Sequence, residues 1–157
     1  MDKKIICYFS ASGVTKEVAK NLSTMLHCDL FEIKPLEEYT SHDLDWNDEN
    51  NRSSLETKDI TSRPAIQNSL DHVDDYSTIL LGYPIWWDLA PRIINSFIES
   101  IDLTNKKVYV FATSGGSGIE NSFTNLKKTY PTIHFVRGKL LSKYTTREEI
   151  LAWLGEN

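Results

Sequence analysis

Only two cysteines occur in the chain, Cys7 and Cys28. They stand too far apart for a CxxC redox pair and are too few for a disulfide framework, so both read as buried, reduced thiols. No apolar run approaches the roughly 18 residues of a membrane span. The opening MDKKIICYF lacks a long apolar core and a small-residue cleavage site, so it reads as a first strand and not a signal peptide. The expected location is the cytoplasm, with no membrane partner. A basic excess is also missing: the net charge of -5 argues against nucleic acid, whose phosphates need clustered Lys and Arg. Solubility, or attraction of a basic partner protein, accounts for the same charge. The four histidines, His27, His42, His72 and His134, show no HxxxH spacing, and neither GxxxxGKS/T nor GxSxG occurs. No residue is assigned a catalytic or metal-ligating role, and no internal repeat is present.

What the chain does contain is the material of one soluble globular domain over residues 1–157, with 40% apolar and 25% charged residues. Lys4 to Phe9, Thr78 to Tyr83 and Val108 to Ala112 are unbroken apolar runs, the signature of strands covered on both faces. Leu30 to Ile33 and Ile133 to Val136 are shorter and interrupted by Glu32 and His134, as suits sheet edges. Between them, Val14, Val18, Leu22 and Met25 repeat at helical spacing, as do Ile93, Ile94, Phe97, Ile98 and Ile101, then Ile119, Phe123 and Leu126, and last Ile150, Leu151 and Leu154. Ser117 with Glu120, and Thr146 with Glu149, are spaced as capping boxes, and Pro91 suits a first helical turn. Strands alternating with helices predict a three-layer α/β domain around a parallel sheet.

In such sheets ligands bind beyond the carboxyl ends of the strands, which directs attention to three loops. The first holds Ser10, Ser12, Gly13, Val14 and Thr15: hydroxyl donors around a glycine, at the start of a helix whose free N–H groups favour a phosphate. The same hydroxyls also suit a plain helix cap. The second, Pro84, Ile85, Trp86 and Trp87, puts two indoles where a connection needs small polar residues; they serve either as core or as a platform for a flat ligand. The third, Thr113, Ser114, Gly115 and Gly116, lets backbone donors face a ligand edge. Its continuation GSGIEN lacks the third glycine of GxGxxG and follows the fourth strand, which argues against a Rossmann-type NAD site. One phosphate site, one aromatic platform and one set of backbone donors describe a planar cofactor with a single phosphate tail, FMN.

Ser10 to Leu22, SASGVTKEVAKNL, resembles the flavodoxin phosphate-loop signature, with Cys7 as a departure upstream. The resemblance implies a flavodoxin-like fold with a five-stranded parallel sheet in order 2-1-3-4-5, the order cited for flavodoxin itself among doubly wound folds. It also implies FMN held by the three loops, electron transfer through it, and as partners either redox proteins or a small-molecule electron acceptor, the chain being a monomer or weak dimer. Asp88 follows Trp87 where many flavodoxins carry a glycine beside the flavin N5, and SGGSG supplies no second aromatic, so one flavin face is expected to be open. The same loops look like those of FMN-dependent NAD(P)H:quinone reductases, which makes a quinone or nitro-compound reductase the alternative.

Residues 34–75 form a long polar insertion. A short helix near Pro64 to Leu70 is expected there, and Trp46 either folds over the open flavin face or anchors the loop to the domain. Asp43, Asp45 and Asn47 imitate the start of a calcium loop that Asp48 and Ser54 then break.

Overall fold

A computed structural model describes residues 3–156 of the chain. Five strands, β1 (Lys4–Tyr8), β2 (Asp29–Glu32), β3 (Thr78–Pro84), β4 (Lys107–Thr113) and β5 (His134–Leu140), form one parallel sheet in the order β2-β1-β3-β4-β5. The three apolar runs are its centre and the two interrupted runs its edges, as their patterns predict. β5 extends four residues beyond the apolar run that announces it, through Arg137, Gly138 and Lys139, because an edge strand need bury only part of its surface.

Alternation along the central strands divides the core into two layers. Ile5 and Cys7 of β1 with Phe9 just after it, Ile79, Leu81 and Tyr83 of β3 and Val108, Val110 and Ala112 of β4 pack on one face, with the helices α3 (Arg92–Ser100) and α4 (Glu120–Thr129) and part of the insertion. Ile6, Tyr8, Leu80, Tyr109 and Phe111 point the other way, onto α1 (Val14–Leu26) and α5 (Arg147–Trp153). Cys7 is fully buried and burial pushes its thiol well above the usual range. Cys28 is only half-buried, a departure from the expected burial of both. Gly82 leaves room for the ring of its β4 neighbour: a Cβ there would fall inside the Phe111 ring.

The helix ends give mixed results. Thr146 caps α5, accepting from the Glu149 N–H at 3.2 Å, but the reciprocal half of the expected capping box is replaced: the Glu149 carboxylate takes the Thr146 hydroxyl, at 3.2 Å, rather than its backbone N–H. The matching box at Ser117 does not form: α4 begins only at Glu120, with Ile119 as an uncapped N-cap, because the glycine-rich stretch before it remains a loop. Pro91 stands one place outside α3 as its N-cap, with extended ψ, and accepts the Ile94 N–H.

The insertion contains one α-helix, α2 (Arg52–Lys58), whose N-cap Asn51 accepts from the Ser54 N–H at 2.9 Å. The helix expected near Pro64 to Leu70 is absent. That stretch is extended, with an antiparallel bridge between Pro35 and Ile66, and the Asn68 side chain ties it to the end of β2 by accepting from the Lys34 N–H and donating to the Glu32 carbonyl. Asn68 competes for backbone partners, and Pro64 holds the preceding residue extended. No helix among the described residues is long and apolar enough to cross a membrane.

Candidate functional site

Neighbouring strands stay bonded right up to the carboxyl edge of the sheet. Phe9 N–H donates to the Gly82 carbonyl at 3.0 Å, Ile85 N–H to Thr113 at 3.0 Å and Leu141 N–H to Ala112 at 2.9 Å. The loops that follow β1, β3, β4 and β5 therefore leave the sheet side by side. They enclose a cavity of about 730 Å³, lined by Ser12, Gly13, Val14, Pro84, Thr113, Ser114 and Gly115 from the expected loops. Glu17 and Val18 of α1, and Leu141 to Tyr144 after β5, complete it.

At the β1 end the chain turns through Gly13 at φ 97°, a conformation that costs other residues about 1–2 kcal/mol. No side chain caps α1, because its N-cap is Gly13, whose own N–H donates to Ser10 Oγ at 3.1 Å. The first-turn N–H groups of α1 thus start the helix without a side-chain partner, at the positive end of its dipole. Thr15 is 1% exposed, and its hydroxyl lies 2.7 Å from that of Thr113, linking the β1 and β4 loops beneath the cavity.

The two indoles after β3 part company. Trp86 turns inward, edge-on to Phe9 at 5.7 Å and to Tyr39 at 5.2 Å between ring centroids. Trp87 is 44% exposed at the tip of a two-residue turn closed by reciprocal bonds between Trp86 and Leu89, at 2.9 and 3.0 Å. Both central residues, Trp87 (φ 47°) and Asp88 (φ 65°), adopt the left-handed conformation that such turns normally give to Asn and Gly. Asn121 at the start of α4 donates to the Asp88 carbonyl at 3.1 Å and steadies this strained tip. At the β4 end Ser114 Oγ accepts the Gly116 N–H at 3.1 Å, and a Cβ on Gly115 or Gly116 would meet nothing within 4 Å.

Of the residues expected from sequence, Ser10, Thr15, Ile85, Trp86, Trp87 and Gly116 do not line the cavity, although each belongs to a loop that does. Trp46 is 75% exposed and away from the cavity lining. Tyr39 fastens the insertion instead: it packs on Phe9 and Trp86, lies under the Arg52 guanidinium at 3.8 Å and donates to Glu56 at 2.5 Å. Burial and that carboxylate push the Tyr39 phenol far up. Asp43, Asp45 and Asp48 accept backbone N–H groups within their own loop, from Thr40, Asn47 and Asn50. Residues 141–144 follow the carboxyl end of an edge strand and have neither a glycine nor an indole pair, so their composition does not mark them, although their place at the carboxyl edge does.

The family model described as flavodoxin matches residues 3–157. The chain belongs to the flavodoxin family. Among solved structures, a candidate flavoprotein from Bacteroides eggerthii is 49% identical, with a TM-score of 0.96 over 99% of this chain and 97% of that one. A second, from Bacteroides uniformis, is 44% identical with a TM-score of 0.92, over 99% of both chains. A flavoprotein from Lactobacillus acidophilus NCFM, solved in complex with FMN, is 21% identical with a TM-score of 0.78, over 98% of this chain and 99% of that one. No curated protein matches. The cavity of this flavodoxin family member thus lies outside the carboxyl ends of the strands and takes in the switch point between β1 and β3, from which it extends across β4 to the turn after β5.

Proposed function

We propose that the protein holds FMN non-covalently at the carboxyl edge of the sheet and transfers electrons through it. The observation that carries this reading is one cavity of about 730 Å³ shared by Ser12 to Val14 after β1, the carboxyl ends of β3 and β4 at Pro84 and Thr113, and Ser114 and Gly115 after β4. Its size suits a small-molecule cofactor. Its composition fits FMN: an uncapped helix start beside Ser12 at one end, and Pro84 with the Thr113 to Gly115 backbone at the other. The FMN complex of the Lactobacillus acidophilus flavoprotein supports the same choice.

Ser12, Gly13 and Val14, with Ser10 and Thr15 shaping the loop, would hold the phosphate; Pro84 and Trp87, with Ile85 and Trp86 shaping their turn, and Thr113 to Gly116 would hold the ring. When bound, FMN supplies the redox chemistry, and the chain supplies binding, orientation and the local field. The α1 N-terminus offers donors to an anion without a side-chain proton being moved. Trp87, displayed on a strained turn pinned by Asn121, offers an indole for a ring to pack on, while Trp86 supports that turn from below. Redox partner proteins or a small acceptor in the cytoplasm would meet the exposed edge, with the chain acting as a monomer or weak dimer. Titrating FMN into purified apoprotein tests the reading: flavin fluorescence should quench to a 1:1 end point, and unchanged fluorescence with protein in excess refutes it.

A second reading, an NAD(P)H:quinone or nitro-compound reductase, is favoured by the open space beside Gly115 and Gly116, where no side chain would cover a bound ring. FMN-loaded protein that oxidises NAD(P)H with a quinone, and no other protein present, supports it. A carrier needs a separate reductase.

A further inference from the structure

The three loops do not account for the wall contributed by the turn after β5. Leu141, Ser142, Lys143 and Tyr144 line the same cavity as Ser12, Gly13 and Val14. Lys143 is the one cationic side chain among the lining residues, and Glu17 the one anionic. Lys16, in the first turn of α1, is already engaged with Glu32 at 3.6 Å.

The turn is held by its own bonds. Leu141 N–H donates to the Ala112 carbonyl at 2.9 Å, Ser142 N–H to Thr145 Oγ1 at 2.8 Å and Tyr144 N–H to Ser142 Oγ at 3.1 Å. The Lys143 ammonium lies 5.3 Å from the centroid of the Tyr144 ring, and both residues face the cavity. A phosphate monoester carries nearly two negative charges at neutral pH. The loop after β1 meets that charge with neutral donors only, and Glu17 opposes it.

We propose that Lys143, from the β5–α5 turn, is the charge partner of the ligand's phosphate, and that it sets the preference for phosphorylated over unphosphorylated flavin. The inference rests on the FMN reading above.

Dissociation constants for FMN and for riboflavin, measured by fluorescence quenching with the full chain, test it. Lys143→Ala should weaken FMN binding about three- to tenfold, the loss of one charge-assisted contact, and change riboflavin binding less than twofold. Lys143→Arg should restore FMN binding, and Lys143→Glu should weaken it beyond Lys143→Ala. Added salt should weaken FMN binding more steeply in the wild type than in Lys143→Ala. Lys143 is exposed, so these variants should keep the wild-type urea midpoint, which is measured alongside. Unchanged FMN binding in Lys143→Ala, or equal losses for FMN and riboflavin, overturns the inference while the cofactor reading stands. Failure of the wild type to take up FMN overturns both.

Discussion

The hydroxyl pair Thr15–Thr113 joins the β1 loop to the end of β4, and its removal can be worked through from the structure. Both side chains are buried and lie 2.7 Å apart. Thr113→Val keeps the shape but leaves the Thr15 hydroxyl desolvated and unpaired, a cost of about 1–3 kcal/mol. For a chain of this length each kcal/mol lowers the melting temperature by about 2–4 °C, so a central loss of about 2 kcal/mol predicts a drop of about 4–8 °C. Thr15→Val should cost a similar amount for the mirror-image reason. In the double variant neither hydroxyl remains, and apolar groups of the same shape replace both, so most of the stability should return. Urea unfolding of the four proteins gives the coupling energy directly, expected at about 3 kcal/mol in favour of the pair. Simple additivity of the single losses would refute the claim that the two loops are tied through this bond.

Three other outcomes follow from the packing and the charges. Gly82→Ala drives a methyl into the buried Phe111 ring, which Trp153 backs edge-on, so it should cost about 3 kcal/mol in urea unfolding; Phe111→Leu should recover part of that loss. The adjacent indoles should separate by assay: Trp86→Ala should destabilise the fold by about 3 kcal/mol, whereas Trp87→Ala should leave the urea midpoint nearly unchanged and weaken FMN about three- to tenfold. Glu99 accepts from Arg63 and Tyr130, which hold its carboxyl below the ordinary value of 4.5. A group whose folded-state pKa is depressed stabilises above its unfolded value and loses that contribution as pH falls. Glu99→Gln should therefore show a shallower loss of stability below about pH 4.5 than the wild type, and parallel acid limbs would remove Glu99 from the account.

Most of the sheet is legible in the sequence because burial on both faces leaves an unbroken apolar run, and β1, β3 and β4 all have one. β5 is harder to read: an edge strand tolerates Arg137 and Lys139, so its apolar signal stops before its hydrogen bonds do. The insertion resists periodicity for a related reason. Its order comes from side chains bonding backbone, as at Asn51, Asn68 and Asp43, and from one aromatic anchor, Tyr39, and none of these repeats at a helical or strand spacing. At the cavity, the composition of the loops was informative and the direction of individual side chains was not. WW announces an aromatic loop, but only the left-handed turn at Trp87 and Asp88 decides which indole faces out. Lys143 gave no sequence signal of its own, since one lysine in a polar turn looks like any solvated charge.

The central claim is that the turns after β1, β3 and β4 converge on one FMN site. Amide chemical shifts recorded during an FMN titration of the isotopically labelled chain test it most directly. The largest changes are expected on residues 12–15, 85–88 and 113–116, and on the turn at 142–144, and should saturate together at one equivalent. Changes centred elsewhere, such as the hollow lined by Lys3, His27 and Asp29 at the opposite edge of the sheet, or shifts that grow without saturating, would contradict it.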